Sequence, residues 1–547
     1  MTPLRFSSVN SIWLGGSLLI AGCIALPIAV VLITLVDPSS DVWSHLKHTV
    51  LAEYLTTTTT LILLVGFAAS LLGVSLAWLC TMTDFPGRAF FSWALVLPLA
   101  IPAYVVAYVF TDSLEFAGPI QTNLRLLTGW QFGDYYFPQI RSVGGAAMVL
   151  TLALYPYVYL FARSAFLQQS ATYFEAARVL GASSFVAFWR IALPSARPAI
   201  AGGVALVLME TIADYGVADY FGITTFTTGI FRTWYGLGDK HGAMQLAAYL
   251  FTFALALVLL ELLARRGRVS NPARNSQPVN RMSLPLGRQW VACLSCALVF
   301  TAAFAYPIAT LAFYAVTEGD PRIGHSFSGY IANSFTVGSI SAVVALALAL
   351  WLVYAERLND HWLTKTLTRI ASLGYALPGA VLGLGLLIPL TNLDRSLAHF
   401  LKTHFNLETG LLLTGSITAL VLVYVARFLT VAYNACHGGM AKIHLHLDDA
   451  ARSLGATPWR VLREVHIPLL RPAVFSALIL VFIDVLKELP ATLILRPFNF
   501  ETLATRAYRL AADERLAEAS TAALMIVVLS LIPVVVLGLR LGKERQG

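Results

Sequence analysis

The chain has 547 residues, of which 58% are hydrophobic and only 12% charged, and it carries a net charge of +8 with a mean hydropathy of +0.73. A soluble domain carries about a quarter charged residues, so this composition excludes an ordinary water-soluble protein. The basic residues lie mostly between apolar runs, where membrane orientation accounts for them and no folded basic domain is left for nucleic acid.

Taken in chain order, the first apolar run extends from Ile12 to Leu35. It is long enough to span, and no small-residue cleavage site follows it, so it reads as a first transmembrane helix rather than a signal peptide. Further spans are expected at 56–80, 90–110, 144–165, 198–218, 244–264, 288–314, 335–356, 370–390, 409–431, 472–493 and 520–540. These runs are too long and too continuously apolar for barrel strands, and in hydrocarbon a helix satisfies its own backbone hydrogen bonds. The expected fold is therefore an all-α polytopic membrane protein of about twelve transmembrane helices. The basic, Asn-, Ser- and Pro-containing stretch 265–288 reads as a cytoplasmic linker between a first domain, 1–264, and a second, 289–547. Cys23, Cys80, Cys293, Cys296 and Cys436 form neither a disulfide framework nor a four-ligand metal pattern.

With the N-terminus inside, the inner segments collect Arg88, Arg163, Arg178, Arg190, Arg265, Arg357, Arg427 and Arg452 among others. This bias places both termini in the cytoplasm, although Lys487, Arg496, Arg506, Arg509 and Arg515 crowd one outer region.

The two halves contain an internal repeat. Glu175-Ala176-Ala177-Arg178-Val179-Leu180-Gly181-Ala182 returns 274 residues later as Asp449-Ala450-Ala451-Arg452-Ser453-Leu454-Gly455-Ala456. Pro194 and Pro468 follow each glycine at the same distance, and both copies continue to Arg-Pro-Ala at Arg197 and Arg471. The copies are six expected spans apart, so both lie on one side of the membrane in two parallel six-helix repeats. Tyr173–Leu180 and Leu447–Leu454 mix apolar and charged residues with good helix formers, and Gly181 and Gly455 permit a sharp turn after each. A short cytoplasmic helix of this kind suits docking into a groove on a partner; an amphipathic helix at the lipid surface is the plainer alternative.

The spacing Glu-Ala-Ala, three residues, Gly, nine residues, Ile-x-Leu-Pro resembles the cytoplasmic signature loop of bacterial ATP-binding-cassette importer permeases, the binding-protein-dependent inner-membrane component family. Glu175, Ala176, Ala177, Gly181, Ile191, Leu193 and Pro194 match it in full; Asp449, Ala450, Ala451, Gly455 and Pro468 match with Val465 and Ile467 at the other two places. The resemblance implies a MetI-like permease fold in a bacterial inner membrane. It implies coupling helices docked on two copies of a cytoplasmic ATPase, and cargo delivered by a periplasmic binding protein. No phosphate-binding loop of the form G-x-x-x-x-G-K-[ST] occurs in the chain. ATP would therefore be hydrolysed on partner subunits, the chain being no enzyme and holding no permanent cofactor.

Glu210 and Asp484 occupy equivalent positions near the outer ends of the fifth and eleventh spans, as do Asp214 and Glu488. Carboxylates at membrane depth face a cavity or a partner. These four are either lining for a cation pathway or structural groups that pair with Lys487 and cap broken helix ends. The run from Lys487 to Phe500, followed by Ala512-Asp513-Glu514-Arg515-Leu516, resembles fused permeases of the ferric-iron uptake family, which implies ferric iron as cargo and a ferric-iron-binding protein as partner. Thiamine, sulfate, polyamine and phosphonate permeases share parts of the layout, and a secondary transporter is the competitor by class. His437, His444 and His446 precede the second loop, where local packing explains them better than a metal site; no metal ligands are assigned.

Overall fold

The computed structural model describes residues 8–35, 41–131, 133–168, 184–265, 281–321, 326–359 and 361–543. The regular elements of the described chain are helices apart from a two-residue parallel pairing of Thr83–Asp84 with Met282–Ser283. Among the described residues nine helices are long and apolar enough to cross a bilayer, or up to eleven if each of two bent pairs is one span. The last expected span falls in helix Leu516–Lys543, whose stretch Leu516–Leu531 is a shorter apolar helix.

Two expected spans differ from a single rod. The run 90–110 is divided between Arg88–Ala100 and Ala103–Thr128, bent by 94°. The break falls at Pro102, whose φ of −60° and ψ of 139° take the chain out of the helix before it restarts. The run 472–493 is likewise interrupted. Arg471–Lys487 follows Pro458–Leu469 at an 80° bend, ends at Glu488, and gives way to a separate helix Pro490–Leu495. Prolines at the first turns of both new helices lack an N–H that would be orphaned there anyway.

Three of the π-helical turns, Phe188–Ala192, Thr301–Ala305 and Leu462–His466, each precede a proline by one intervening residue: Pro194, Pro307 and Pro468. A proline ring collides with the carbonyl four residues back, and a wide turn relieves the collision without ending the helix. The first and third of these turns start 274 residues apart, as do helices Val143–Gln168 and Ile417–Met440.

The chain forms two compact units. One comprises 1–43, 230–251 and 322–506. In it the N-terminal helix Ser8–Ile33 packs on Phe327–Leu358, Trp362–Ala371 and Gly379–Phe405. Trp13 anchors that contact: its carbonyl accepts from the Trp351 indole at 3.2 Å, and its ring lies 4.3 Å from that of Trp351 and 4.9 Å from Tyr354.

The other unit comprises 44–229, 252–321 and 507–547. Its centre is the packing of Leu51–Met82 on Val143–Gln168 and of both on Leu193–Ala213. The approach is close because it uses glycine. A Cβ on Gly73 would sit 2.9 Å from the Tyr159 backbone nitrogen, and one on Gly203 would sit 2.9 Å from Val158 Cα. Lipid gives no hydrophobic drive for helices to associate, so such backbone-to-backbone contact supplies dispersion energy instead.

Candidate functional site: an anchored loop helix and two capped helix breaks

In the first compact unit, helix Ile417–Met440 leads through a turn into the eight-residue helix His446–Ser453. Two adjacent aspartates open this short helix with opposite fates. Successive helical residues lie about 100° apart, so one faces inward and the other outward. Asp448 is buried and Asp449 exposed. Arg357 Nε donates to Asp448 Oδ2 at 2.7 Å, and His466 Nε2 lies 2.5 Å from Asp448 Oδ1. Arg357 and His466 are themselves 8% and 0% exposed at the side chain.

Arg357 also reaches three carbonyls. Its Nη1 donates to Met440 O and Ile443 O at 3.1 Å, and its Nη2 to Ile443 O at 3.1 Å and His444 O at 3.3 Å. Met440 is the last residue of its helix, where carbonyls lack helical partners. One guanidinium thus closes the end of a long helix and positions the short one that follows. Tyr354 and Tyr433 brace the same corner: the Tyr354 hydroxyl donates to Pro458 O at 2.7 Å, and that of Tyr433 to Glu356 Oε2 at 2.6 Å.

The short helix ends at Gly455, whose φ of +80° lies in the left-handed region. Gly455 N donates to Arg452 O at 2.9 Å and Ala456 N to Ala451 O at 3.1 Å, which closes the C-terminus. Asp449, Ala450 and Arg452 are exposed, Ala451 is half-buried, and Leu454 and Trp459 are 86% and 60% exposed. The presented surface combines the apolar Leu454 and Trp459 with the charged Asp449 and Arg452. Pro468 lies in the three-residue turn Ile467–Leu469, one step before the long helix resumes at Arg471.

In the repeated segment of the other half, Glu175, Ala176, Ala177 and Gly181 lie outside the described residues. Pro194 is described, in the first turn of Leu193–Ala213. His437, His444 and His446 are exposed, and among the described residues no group of three His, Cys, Asp or Glu side chains could hold a metal ion.

The carboxylates at the outer ends of the fifth and eleventh expected spans sit at helix breaks. Asp214 follows Leu193–Ala213, and its Oδ1 accepts from the backbone N–H of Val217 at 3.0 Å and of Ala218 at 3.3 Å, capping Gly216–Tyr220. Glu488 does the same in the other unit: its Oε1 accepts from Ala491 N at 3.1 Å at the start of Pro490–Leu495. Its other oxygen takes a 2.7 Å bond from Arg427 Nη1, and both side chains are nearly buried, at 7% and 5% exposure. Arg427 lies inside helix Ile417–Met440, within the expected span 409–431, and its charge is paired there. Glu210 and Asp484 lie one turn earlier on half-buried faces of their helices.

The partners Arg427, Arg357, Asp448 and His466 were not evident from the motif itself. The repeat offers a signal for three of them, since the residues 274 earlier are Ala153, Phe174 and Ala192 for Arg427, Asp448 and His466. A polar residue that replaces an apolar one and is buried needs a partner.

Long apolar helices, some with carboxylate-capped breaks, and an exposed short helix on a braced loop define an all-α polytopic membrane protein. Residues 69–268 and 345–541 match the binding-protein-dependent transport system inner membrane component. The chain belongs to this family of inner-membrane permease subunits, and its role is transport rather than enzymatic catalysis. It is 25% identical over 492 residues to an Fe(3+)-transport system permease protein of Haemophilus influenzae, covering 89% of this chain and 90% of that one. A ferric transport system permease protein of Actinobacillus pleuropneumoniae is 23% identical over 458 residues, 79% of this chain and 63% of its own length. A Salmonella typhimurium permease named for 2-aminoethylphosphonate transport is 26% identical over 199 residues, 36% of this chain and 69% of its own.

Proposed function

We propose that the chain is the fused, two-half permease of an ATP-binding-cassette importer that passes ferric iron into the cytoplasm. The observation that carries this reading is the pair of family matches in one chain, together with ferric-transport relatives that cover nearly its whole length. Its twelve spans would form two parallel six-helix repeats, with both termini cytoplasmic. Each repeated loop, with Glu175 and Gly181 in one and Asp449 and Gly455 in the other, would dock on one copy of a separate ATPase. The exposed Leu454 and Trp459 supply apolar area for such a contact, and Asp448 holds the helix that presents it. A periplasmic ferric-iron-binding protein would deliver the cargo.

Glu210, Asp214, Asp484 and Glu488 would border the pathway. The capping bonds of Asp214 and Glu488 suit a broken helix beside a cavity, where loosened backbone needs local partners. Their negative charge favours a cation, and Arg427 offsets that of Glu488.

Transport of a phosphonate is the second reading, favoured by the Salmonella relative. Cells deleted for the chain and complemented with it separate the two. Restored uptake of radiolabelled ferric iron supports the iron reading. Restored uptake of 2-aminoethylphosphonate with unchanged iron uptake contradicts it.

A further inference from the structure

Beyond the carboxylates at the helix breaks, the second compact unit gathers phenols. Tyr215 directly follows the Asp214 break, and Tyr508 lies on helix Leu503–Ala512. Their hydroxyls are 3.1 Å apart, and the Tyr508 hydroxyl donates to Asp219 Oδ2. Tyr508 and Asp219 are half-buried, so the cluster is reachable, while Tyr215 is buried.

A further phenol, Tyr108, packs against Tyr220, the residue next to Asp219. Tyr108 is 1% exposed, its ring centroid lies 4.5 Å from that of Tyr220, and its hydroxyl has no hydrogen-bond partner among the described residues. A buried phenol without a partner forgoes a hydrogen bond.

We propose that Tyr215, Tyr508 and Asp219, with Tyr108 behind them, form a transient oxygen site for a hard trivalent cation. The inference rests on the ferric-cargo reading and places the ion at one position along its route. Phenolate and carboxylate are hard anionic oxygens, the ligand type that hard cations select over soft divalent competitors. The Tyr508 hydroxyl donates its proton to Asp219 in a hydrogen bond, so it is protonated while the site is empty. An arriving trivalent ion displaces that proton, and each phenol that becomes a ligand releases one. The hydrogen-bonded resting state and the metal-bound state thus exchange protons for the ion, which lets the site hold cargo without trapping it.

The test uses the full chain in lipid nanodiscs, titrated with ferric nitrilotriacetate while visible absorbance is followed for the charge-transfer band of an iron phenolate. The expected result is a saturable band that is absent in Tyr508→Phe and weakened about tenfold or more in apparent affinity in Asp219→Asn. It should persist in Tyr235→Phe, whose hydroxyl donates to Leu493 O in the other unit at 2.8 Å. Should Tyr508→Phe fail to purify as a monodisperse chain, Tyr215→Phe carries the same expectation. No band in the unmodified chain, or a band unchanged in the phenol variants, overturns the proposal. Iron uptake that persists without any band removes the site and leaves the cargo reading standing. A band in a chain that moves only phosphonate removes the cargo reading and leaves a cation site.

Discussion

Replacing Asp448 by alanine tests how the short loop helix is held. The substitution removes a carboxylate that meets Arg357 at 2.7 Å and His466 at 2.5 Å, with every participating side chain 8% exposed or less. Removing one partner of a buried ion pair costs about 3–5 kcal/mol, because the other charge stays buried and uncompensated. Arg357 keeps its bonds to the carbonyls of Met440, Ile443 and His444, so Asp448→Ala should fall near the lower limit, about 3 kcal/mol. Arg357→Met strips those carbonyls of their donor as well and should fall near the upper one, about 5 kcal/mol. The double variant Arg357→Met/Asp448→Ala leaves no unpaired charge, so the two effects should fall short of additivity by about 2–3 kcal/mol.

The assay is a double-mutant cycle on the purified chain, unfolded by denaturing detergent in mixed micelles and read alongside amide hydrogen exchange. In Asp448→Ala the amides of 446–456 should exchange about a hundredfold faster, the kinetic face of a loss near 3 kcal/mol. Asp449→Ala, one residue on and exposed, should change stability by no more than about 0.5 kcal/mol. Additivity of the Arg357 and Asp448 effects within about 0.5 kcal/mol, or equal effects at the two aspartates, would refute the reasoning.

Other outcomes follow from the same geometry. Arg427→Met alone should destabilise the chain by about 3–5 kcal/mol, and Arg427→Met combined with Glu488→Gln should recover much of that, because the glutamine oxygen still caps Ala491; the same unfolding cycle checks it. Gly455→Ala should cost about 1–2 kcal/mol at a φ of +80°, whereas Gly455→Asn should be milder because asparagine tolerates that region. If the loop docks on an ATPase, transport should fall in the alanine variant and largely survive in the asparagine one, measured as uptake per ATP hydrolysed.

Much of the bundle is legible in the sequence because hydrocarbon allows few alternatives: a long apolar run must satisfy its own backbone, and it does so as a helix. The short helix before Gly455 is legible for a local reason, since helix formers followed by glycine encode both the segment and its stop. The breaks at Pro102 and Glu488 were harder to place. Proline is tolerated in membrane helices, and Pro27 and Pro156 do lie inside continuous ones. Only the neighbouring partners decide whether a proline bends a helix or ends it.

Asp448 was obscured by Asp449, which carries the motif. Nothing local distinguishes the two, and the difference arises from a guanidinium 91 residues away. Arg427 falls within an expected span, but its partner was not legible: the buried pairing with Glu488 joins residues 61 apart in the chain.

The most direct measurement is uptake of radiolabelled ferric iron by proteoliposomes that hold this chain with its candidate ATPase, with ATP on the ATPase side and a ferric-loaded binding protein on the other. The account predicts uptake that requires all three proteins and ATP, and that collapses when Gly181 and Gly455 are both replaced by bulky residues. Iron uptake that continues without the ATPase, or ATP-driven uptake of thiamine, sulfate or a phosphonate with no iron flux, would contradict it.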